Sequence, residues 1–362
     1  MAADGTRTGH LDLRQWQSQA IEQLQREALR SADTHLLQLC LPEFPQISFY
    51  LKDESTHPSG SLKHRLARSL FLYALCNNRL RPGQTVVDAS SGSTAISEAW
   101  FARLLGLPFV AVMPDCTASA KVAALQQLGA RCLLLPVGAD TAAAASEFAR
   151  THQACYLDQF GLAERATDWR GNNNIAESIL RQLAAEPDPQ PEWIVCGVGT
   201  GGTSATIGRY LRYRGWPTRL CVAEPSGAAF AQAYQAGGCR DALASRATII
   251  EGVGRARVEP GFQFEIVDRV EEIDDADSVI GMRDLEALLG RRYGGSSGCN
   301  WIACLRLAAE LRQRGLGGSI VTLLGDSGER YADTLYDNAW LQQRGHDLMS
   351  AQKRLSDLKS AR

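Results

Sequence analysis

The chain is 362 residues long and nearly charge-balanced, with 38 Lys+Arg against 40 Asp+Glu and a formal net charge of −2 at pH 7. At roughly 150 residues per domain this length predicts two domains, and 45% apolar with 22% charged residues marks a folded globular protein. The balance leaves no basic footprint for nucleic acid or an anionic membrane surface, and no apolar run approaches the ~20 residues of a transmembrane helix.

Residues 13–29 read as an amphipathic helix, with Trp16, Ala20, Ile21, Leu24 and Ala28 on one stripe. A strand over 47–51 leads into a loop and a helix over about 63–75. Then come strand 85–89, helix 94–105 stopped at Gly106, strand 109–113, helix 119–128 stopped at Gly129, strand 131–135 and the alanine-rich helix 139–150. The second half repeats the style with helix 174–184, strand 193–196, helix 203–214 and strand 219–223. Helices near 276–289 and 300–314 and strand 319–323 complete it. Alternating β and α elements predict parallel strands with helices packed on them. The domain boundary is expected near 160–170, and no short-period repeat suggests a solenoid.

The polar residues 1–14 lack the apolar core of a secretory signal, so a cytoplasmic protein is expected. Its 10 cysteines include no C-x-x-C pair and mostly sit in apolar runs such as Trp193-Ile194-Val195-Cys196. They read as reduced core residues rather than a disulfide framework. The 6 histidines show no zinc-site spacing, so no metal is expected.

Three loops carry chemistry. In Ser59-Gly60-Ser61-Leu62-Lys63-His64-Arg65 a lysine sits in the first turn of a helix, where the positive end of the dipole disfavours a charged amine. That field favours a nucleophilic, Schiff-base-forming lysine; the plainer alternative is a solvated surface lysine. Asp88-Ala89-Ser90-Ser91-Gly92-Ser93-Thr94 puts four hydroxyls between a strand and a helix N-terminus. This is more than one cap requires and suits a carboxylate or phosphate. Gly197-Val198-Gly199-Thr200-Gly201-Gly202-Thr203 follows a strand and opens a helix, fitting G-x-G-x-x-G, with Glu224 at the end of the next strand. It could serve a dinucleotide, but Gly199-Thr200-Gly201-Gly202-Thr203 equally wraps a single phosphate. A fingerprint this far from the first βα turn also counts against a dinucleotide fold. Gly294-Gly295-Ser296-Ser297-Gly298 matches a nucleophile elbow in letters only, since a helix rather than a strand is expected before it.

In chain order these segments resemble the cysteine synthase (O-acetylserine sulfhydrylase) and cystathionine β-synthase family of fold-type II pyridoxal-phosphate enzymes. The resemblance runs from about residue 51 to 331. It includes Lys52-Asp53-Glu54, the Ser59 to Arg65 segment, the hydroxyl loop, Asp158-Gln159-Phe160 and the glycine loop. Further along it takes in Glu224-Pro225, Glu251-Gly252-Val253-Gly254, Gly295-Ser296-Ser297-Gly298 and Gly328-Glu329-Arg330-Tyr331. The fold it implies is α/β with two domains, tryptophan synthase β-like, each an open, mostly parallel twisted sheet flanked by helices. The domains would be 40–165 with the cofactor lysine and substrate loop and 166–331 with the phosphate loop. A helical segment 1–39 and a charged, mostly helical tail 332–362 would pack on these.

By that resemblance Lys63 would carry pyridoxal 5'-phosphate as a Schiff base and act as the catalytic base. Gly199, Thr200, Gly201, Gly202 and Thr203 would bind its phosphate, and Ser296, with Ser297 as the alternative, its pyridine nitrogen. Ser90, Ser91, Thr94 and Gln159 would hold the carboxylate of a small amino-acid substrate. Ser93 stands where the synthases carry an asparagine on the cofactor's 3′-oxygen; it keeps a donor with a shorter reach. Asp168-Trp169-Arg170-Gly171-Asn172-Asn173-Asn174 and the arginines Arg255 and Arg257 also depart from the synthases. The arginines could serve the pocket or surface ion pairs. This pattern looks closer to a bacterial branch assigned as L-cysteine desulfhydrases, which form pyruvate, ammonia and hydrogen sulfide through an aminoacrylate. Cysteine synthesis from O-acetylserine and sulfide is the alternative. An NAD(P)-dependent oxidoreductase and a non-catalytic metabolite sensor are more remote ones. The family implies a homodimer.

Overall fold

The structure is a computed structural model that describes residues 5–30, 33–171 and 174–360. The chain forms two compact units, one of residues up to 33 with 63–167 and one of 34–62 with 168–362. The helical segment and tail expected at 1–39 and 332–362 include residues 1–4, 31, 32, 361 and 362, which lie outside the described residues.

In chain order the elements begin with α1 (Gly5–Arg30), β1 (His35–Cys40), β2 (Ile47–Asp53), α2 (Lys63–Cys76), β3 (Val86–Ala89) and α3 (Ser93–Leu104). Next are β4 (Phe109–Pro114), α4 (Ser119–Gln127), β5 (Arg131–Leu135), α5 (Thr141–His152), β6 (Cys155–Tyr156) and α6 (Gln159–Ala166). The second half contains α7 (Ile175–Leu183), β7 (Trp193–Gly197), α8 (Gly202–Tyr213), β8 (Arg219–Pro225), α9 (Ala229–Gln235) and β9 (Arg269–Ile273). It ends with α10 (Asp275–Leu289), α11 (Gly295–Gln313), β10 (Gly318–Leu324), α12 (Asn338–Gln343) and α13 (Leu348–Ser360).

The first unit is a four-stranded parallel sheet in the order β5-β4-β3-β6. Successive residues of a strand face opposite sides. Val86, Phe109, Ala111 and Met113 pack with Ala20 and Leu24 of α1, with α2 and α3, and with Leu125 of α4. Val87, Ala89, Val110 and Val112 pack with Ala145 of α5. The stripe read on residues 13–29 is thus the face that docks α1.

The second unit is a six-stranded sheet in the order β1-β2-β10-β7-β8-β9, parallel except for the antiparallel edge strand β1. One face, with Phe49, Leu51, Val195, Cys221, Ile273 and Ile320, packs on α10, α11 and α13. The other, with Tyr50, Ile194, Cys196, Leu220, Val222 and Val321, packs on α7, α8 and α9. Residues 40–62, assigned from the sequence to the N-terminal domain, group with the second unit because β2 hydrogen-bonds in register to β10, from Ile47 opposite Gly318 to Asp53 opposite Leu324.

α11 begins at Gly295 rather than near residue 300. Its glycines serve packing within a helix rather than a loop. A Cβ on Gly298 would overlap the Ser278 carbonyl and lie 2.5 Å from the Met282 nitrogen, and one on Gly281 would lie 2.6 Å from the Gly298 carbonyl oxygen. α10 and α11 therefore meet backbone against backbone. The charged tail docks on this pair, with Arg354 Nε donating to Asp277 at 2.8 Å and Lys359 Nζ to Asp284 at 2.7 Å. Among the described residues no helix is long and apolar enough to cross a membrane.

Because backbone atoms cannot rotate out of the way, Gly298→Ala should destabilise the second unit by about 3 kcal/mol, the upper end for overpacking. Urea unfolding reads this as a lowered midpoint, and an unchanged midpoint would contradict the close approach of α10 and α11.

Candidate active site

The glycine loop between β7 and α8 has room for almost nothing except backbone. A Cβ on Gly199 would lie 2.5 Å from the Gly252 carbonyl oxygen, and one on Gly201 would lie 2.6 Å from the Gly261–Phe262 peptide. Gly201 also has φ of 83°, the left-handed region that glycine tolerates. The 251–254 segment closes over this loop, and the Gly254 N–H donates to the Val198 carbonyl at 2.8 Å. The N-cap residue Gly201 has no side chain to cap α8, and the Gly202 N–H of its first turn donates to the Thr200 hydroxyl at 3.4 Å. The N–H groups and threonine hydroxyls at the positive end of this 12-residue helix suit an anion.

Glu224 has a different task. Its buried carboxylate accepts the N–H of Phe230 at 3.3 Å and that of Ala231, so it caps α9 and is not presented to a ribose. Burial pushes its pKa up to about 7 against the opposing effect of those two N–H groups.

The serine pair at the start of α11 divides its work. Ser297 is fully buried, and its hydroxyl accepts the Gly325 N–H at 3.0 Å. Ser296 is half-buried, and its hydroxyl would lie 3.1 Å from a Cβ on Gly325. The loop after β10 also fixes the segment ahead of Lys63. Leu62 N–H donates to the Gly325 carbonyl at 2.8 Å and Ser327 N–H to the Gly60 carbonyl at 3.2 Å. Lys63 follows at once, half-buried, as the first residue of α2.

The hydroxyl loop lies between β3 and α3. Ser90 Oγ accepts the N–H groups of Gly92 and Ala95, both at 3.3 Å, which leaves its own O–H to donate outward. Ser91 and Ser93 are half-buried and Thr94 is buried. Gln159 Nε2 donates to the Ala89 carbonyl at 2.8 Å. The structure thus brings Gln159 to the root of this loop, 70 positions away in sequence.

Other sequence features resolve into scaffolding. Lys52 is fully buried, its ammonium donating to the Thr34 carbonyl at 2.7 Å and to Gln182 at 2.6 Å. Glu54 accepts the Thr34 hydroxyl at 2.6 Å. Arg255 pairs with buried Glu259 at 2.8 Å, and Arg257 is exposed. Asp168 folds a turn by accepting Arg170 N–H at 3.1 Å, and Asn174 caps α7 through Glu177 N–H at 2.9 Å. Asn172 and Asn173 lie outside the described residues. Sequence reading passed over Glu98, although a carboxyl within Ala95-Ile96-Ser97-Glu98-Ala99-Trp100-Phe101 on a core-facing helix is itself a signal.

Residues 32–326 match the family described as pyridoxal-phosphate dependent enzyme. The chain belongs to this family. It is 53% identical over 338 residues to the L-cysteine desulfhydrase Cds1 of Mycobacterium tuberculosis, covering 92% of each chain. It is 30% identical over 302 residues to cysteine synthase 1 of Emericella nidulans, covering 81% of this chain and 79% of that one. The crystal structure of O-ureido-L-serine synthase superposes with a TM-score of 0.74 at 28% identity, covering 85% of this chain and 96% of that one. These likenesses establish a two-sheet, fold-type II pyridoxal-phosphate enzyme.

The residues present fit that cofactor. The glycine loop excludes side chains at Gly199 and Gly201 and sets the helix N-terminus and the Thr200 and Thr203 hydroxyls where a phosphate would be held. Ser297 is fully buried with its oxygen accepting from Gly325, whereas Ser296 is half-buried, so Ser296 is the better-placed hydroxyl for the pyridine nitrogen.

Glu224 gives the site's scaffold a pH dependence of known sign. Its pKa lies above the ordinary 4.5 in the folded state, so the native protein holds this proton more tightly than the unfolded chain. Stability from this group is full below about pH 4.5 and is lost as pH rises through about 7, by roughly 3 kcal/mol. Glu224→Gln cannot ionise and should remove that decline. Thermal midpoints of the two proteins across this range should diverge in slope, and parallel slopes would refute the assignment.

Proposed function

We propose that the chain is a pyridoxal-phosphate-dependent L-cysteine desulfhydrase, cleaving L-cysteine by β-elimination to pyruvate, ammonia and hydrogen sulfide. The observation that carries this reading is its much greater likeness to the mycobacterial L-cysteine desulfhydrase than to the fungal cysteine synthase. The free state of the ten cysteines and the uniform use of Glu224 as a helix cap support it against a disulfide-bonded or dinucleotide-binding protein.

Each residue has a task in this reaction. The cofactor, when bound, supplies the electron sink that makes the substrate Cα–H acidic. Lys63 would hold the cofactor through its amine and would serve as the base that takes the Cα proton. The N–H groups of Gly201, Gly202 and Thr203 and the hydroxyls of Thr200 and Thr203 hold the phosphate, with Gly199 letting the 251–254 segment pack against the loop. Ser296 bonds the pyridine nitrogen as a neutral partner, and Ser93 reaches toward the 3′-oxygen. Ser90 donates its O–H to the substrate carboxylate with Ser91, Thr94 and Gln159. The Cβ–S bond breaks, sulfur leaves as hydrosulfide, and water converts the remaining three-carbon unit to pyruvate and ammonia. A cytoplasmic homodimer of two-domain protomers, divided near residue 165, completes the proposal.

In purified protein supplied with pyridoxal phosphate, hydrogen sulfide release from L-cysteine alone should exceed cysteine formation from O-acetylserine and sulfide. The reverse ratio would make the enzyme a synthase. Lys63→Ala should abolish both activities and the visible absorption of the bound cofactor. Survival of that absorption would remove Lys63 from its role.

A further inference from the structure

The loop assigned to the substrate carboxylate stands on a pair of buried carboxyls. Asp88, near the end of β3, and Glu98, on α3, are both fully buried in the first unit. Asp88 Oδ1 accepts the Ala89 N–H at 2.7 Å, and Oδ2 accepts the Gln159 N–H at 3.1 Å. The Gln159 side chain donates back to the Ala89 carbonyl at 2.8 Å, closing a ring of three hydrogen bonds. That ring fixes both Gln159 and the first residue of the hydroxyl loop, which follows Ala89 directly.

Glu98 has no such support. Neither of its carboxyl oxygens has an N–H or hydroxyl donor. The group within hydrogen-bonding reach of it is the Asp88 carboxyl. Two carboxyls can hydrogen-bond only if one keeps its proton. Asp88 has two backbone donors that favour its anion, so the proton belongs on Glu98. Burial and the Asp88 charge both raise the Glu98 pKa well above its ordinary value.

The surroundings are acidic as well. From β6 and the start of α6, Tyr156 and Asp158 face the same region, and Asp158 is committed to capping α6 through Gly161 N–H at 3.1 Å. Arg79, exposed, donates to the Tyr156 backbone carbonyl at 2.7 Å and supplies no donor to Glu98.

We propose that Glu98, as a neutral acid donating its O–H to Asp88, is a positioning residue for substrate-carboxylate recognition. It acts through Asp88 on Gln159 and the 90–94 loop, and it spares an anionic substrate the repulsion of a second buried charge. This rests on the reading of Ser90, Ser91, Thr94 and Gln159 as the carboxylate site.

Three variants and one spectrum test it on the cofactor-loaded enzyme. Glu98→Gln keeps an uncharged donor and should leave KM for L-cysteine unchanged. Glu98→Ala removes the donor and should raise KM roughly tenfold, the value of one hydrogen bond to a charged group, while kcat stays nearly constant. Asp88→Asn puts a donor against one of the backbone N–H groups and should raise KM similarly. A purely structural role would lower the unfolding midpoint and leave KM alone. Unmoved KM in folded Glu98→Ala, or a raised KM in Glu98→Gln, overturns the proposal; should Glu98→Ala not fold, the other two variants decide it.

Infrared difference spectra of wild type against Glu98→Gln should show the carbonyl stretch of a protonated carboxylic acid at neutral pH, present in wild type only. Its absence also overturns the proposal. The spectrum needs no substrate, so a wild-type enzyme that releases no hydrogen sulfide would defeat the proposed function without obscuring where the proton resides.

Discussion

The parallel pairing of β2 with β10 is the constraint on which the cofactor assignments depend. It joins the segment that ends in Lys63 to the loop that ends β10, and the chain then uses this loop twice. The Gly325 carbonyl accepts from Leu62, and the Gly325 N–H donates to Ser297 in the first turn of α11. One residue therefore sets both the segment that leads to Lys63 and the start of the helix that carries Ser296. Asp53, at the end of β2, strengthens the join by accepting from Arg291 at 3.2 Å, just before α11. A Cβ at residue 325 would come within 3.1 Å of the Ser296 hydroxyl, so the glycine leaves that hydroxyl uncrowded.

What could be read from the sequence, and what could not, follows from the range of the interactions. Hydrophobic periodicity and turn residues are local, and they located most of the helices and parallel strands. β6 has only two residues, and β1 is an edge strand with part-exposed residues, so neither leaves a buried run to recognise. The partner of β2 lies near the far end of the sheet-forming chain, and no local pattern specifies it. Hence residues 40–62 looked continuous with the elements that follow them. Ser296 was recognised through the family motif, but its position in a helix was not, because Gly298 pays its helix penalty to let α10 approach.

Glu224 and Asp88 show why burial alone does not assign a function to an acid. Both lie at the C-terminal ends of parallel strands, where open α/β sheets place ligands. Both are raised by desolvation, Glu224 to about 7. Glu224 satisfies its oxygens on the N–H groups of a short helix, and that spends the carboxylate. Asp88 instead bonds across to Gln159, whose side chain returns to the Ala89 carbonyl at the root of the 90–94 loop. The difference is one of partners, not of depth.

The same reasoning bears on the chemistry proposed for Ser296. α11 has no side-chain cap, and its positive end adds a field that opposes a proton on a pyridine nitrogen placed there. A serine hydroxyl can donate to a neutral nitrogen, whereas an aspartate in its place would hold the nitrogen protonated. The first arrangement makes the ring a weaker electron sink. Loss of a β-thiolate needs only a modest sink, because the leaving group carries the electron pair away. A helix N-terminus with a neutral hydroxyl therefore favours β-elimination over reactions that must store the charge in the ring. With Ser296 at the nitrogen as proposed, the backbone of α11 would favour this reaction class together with the side chain.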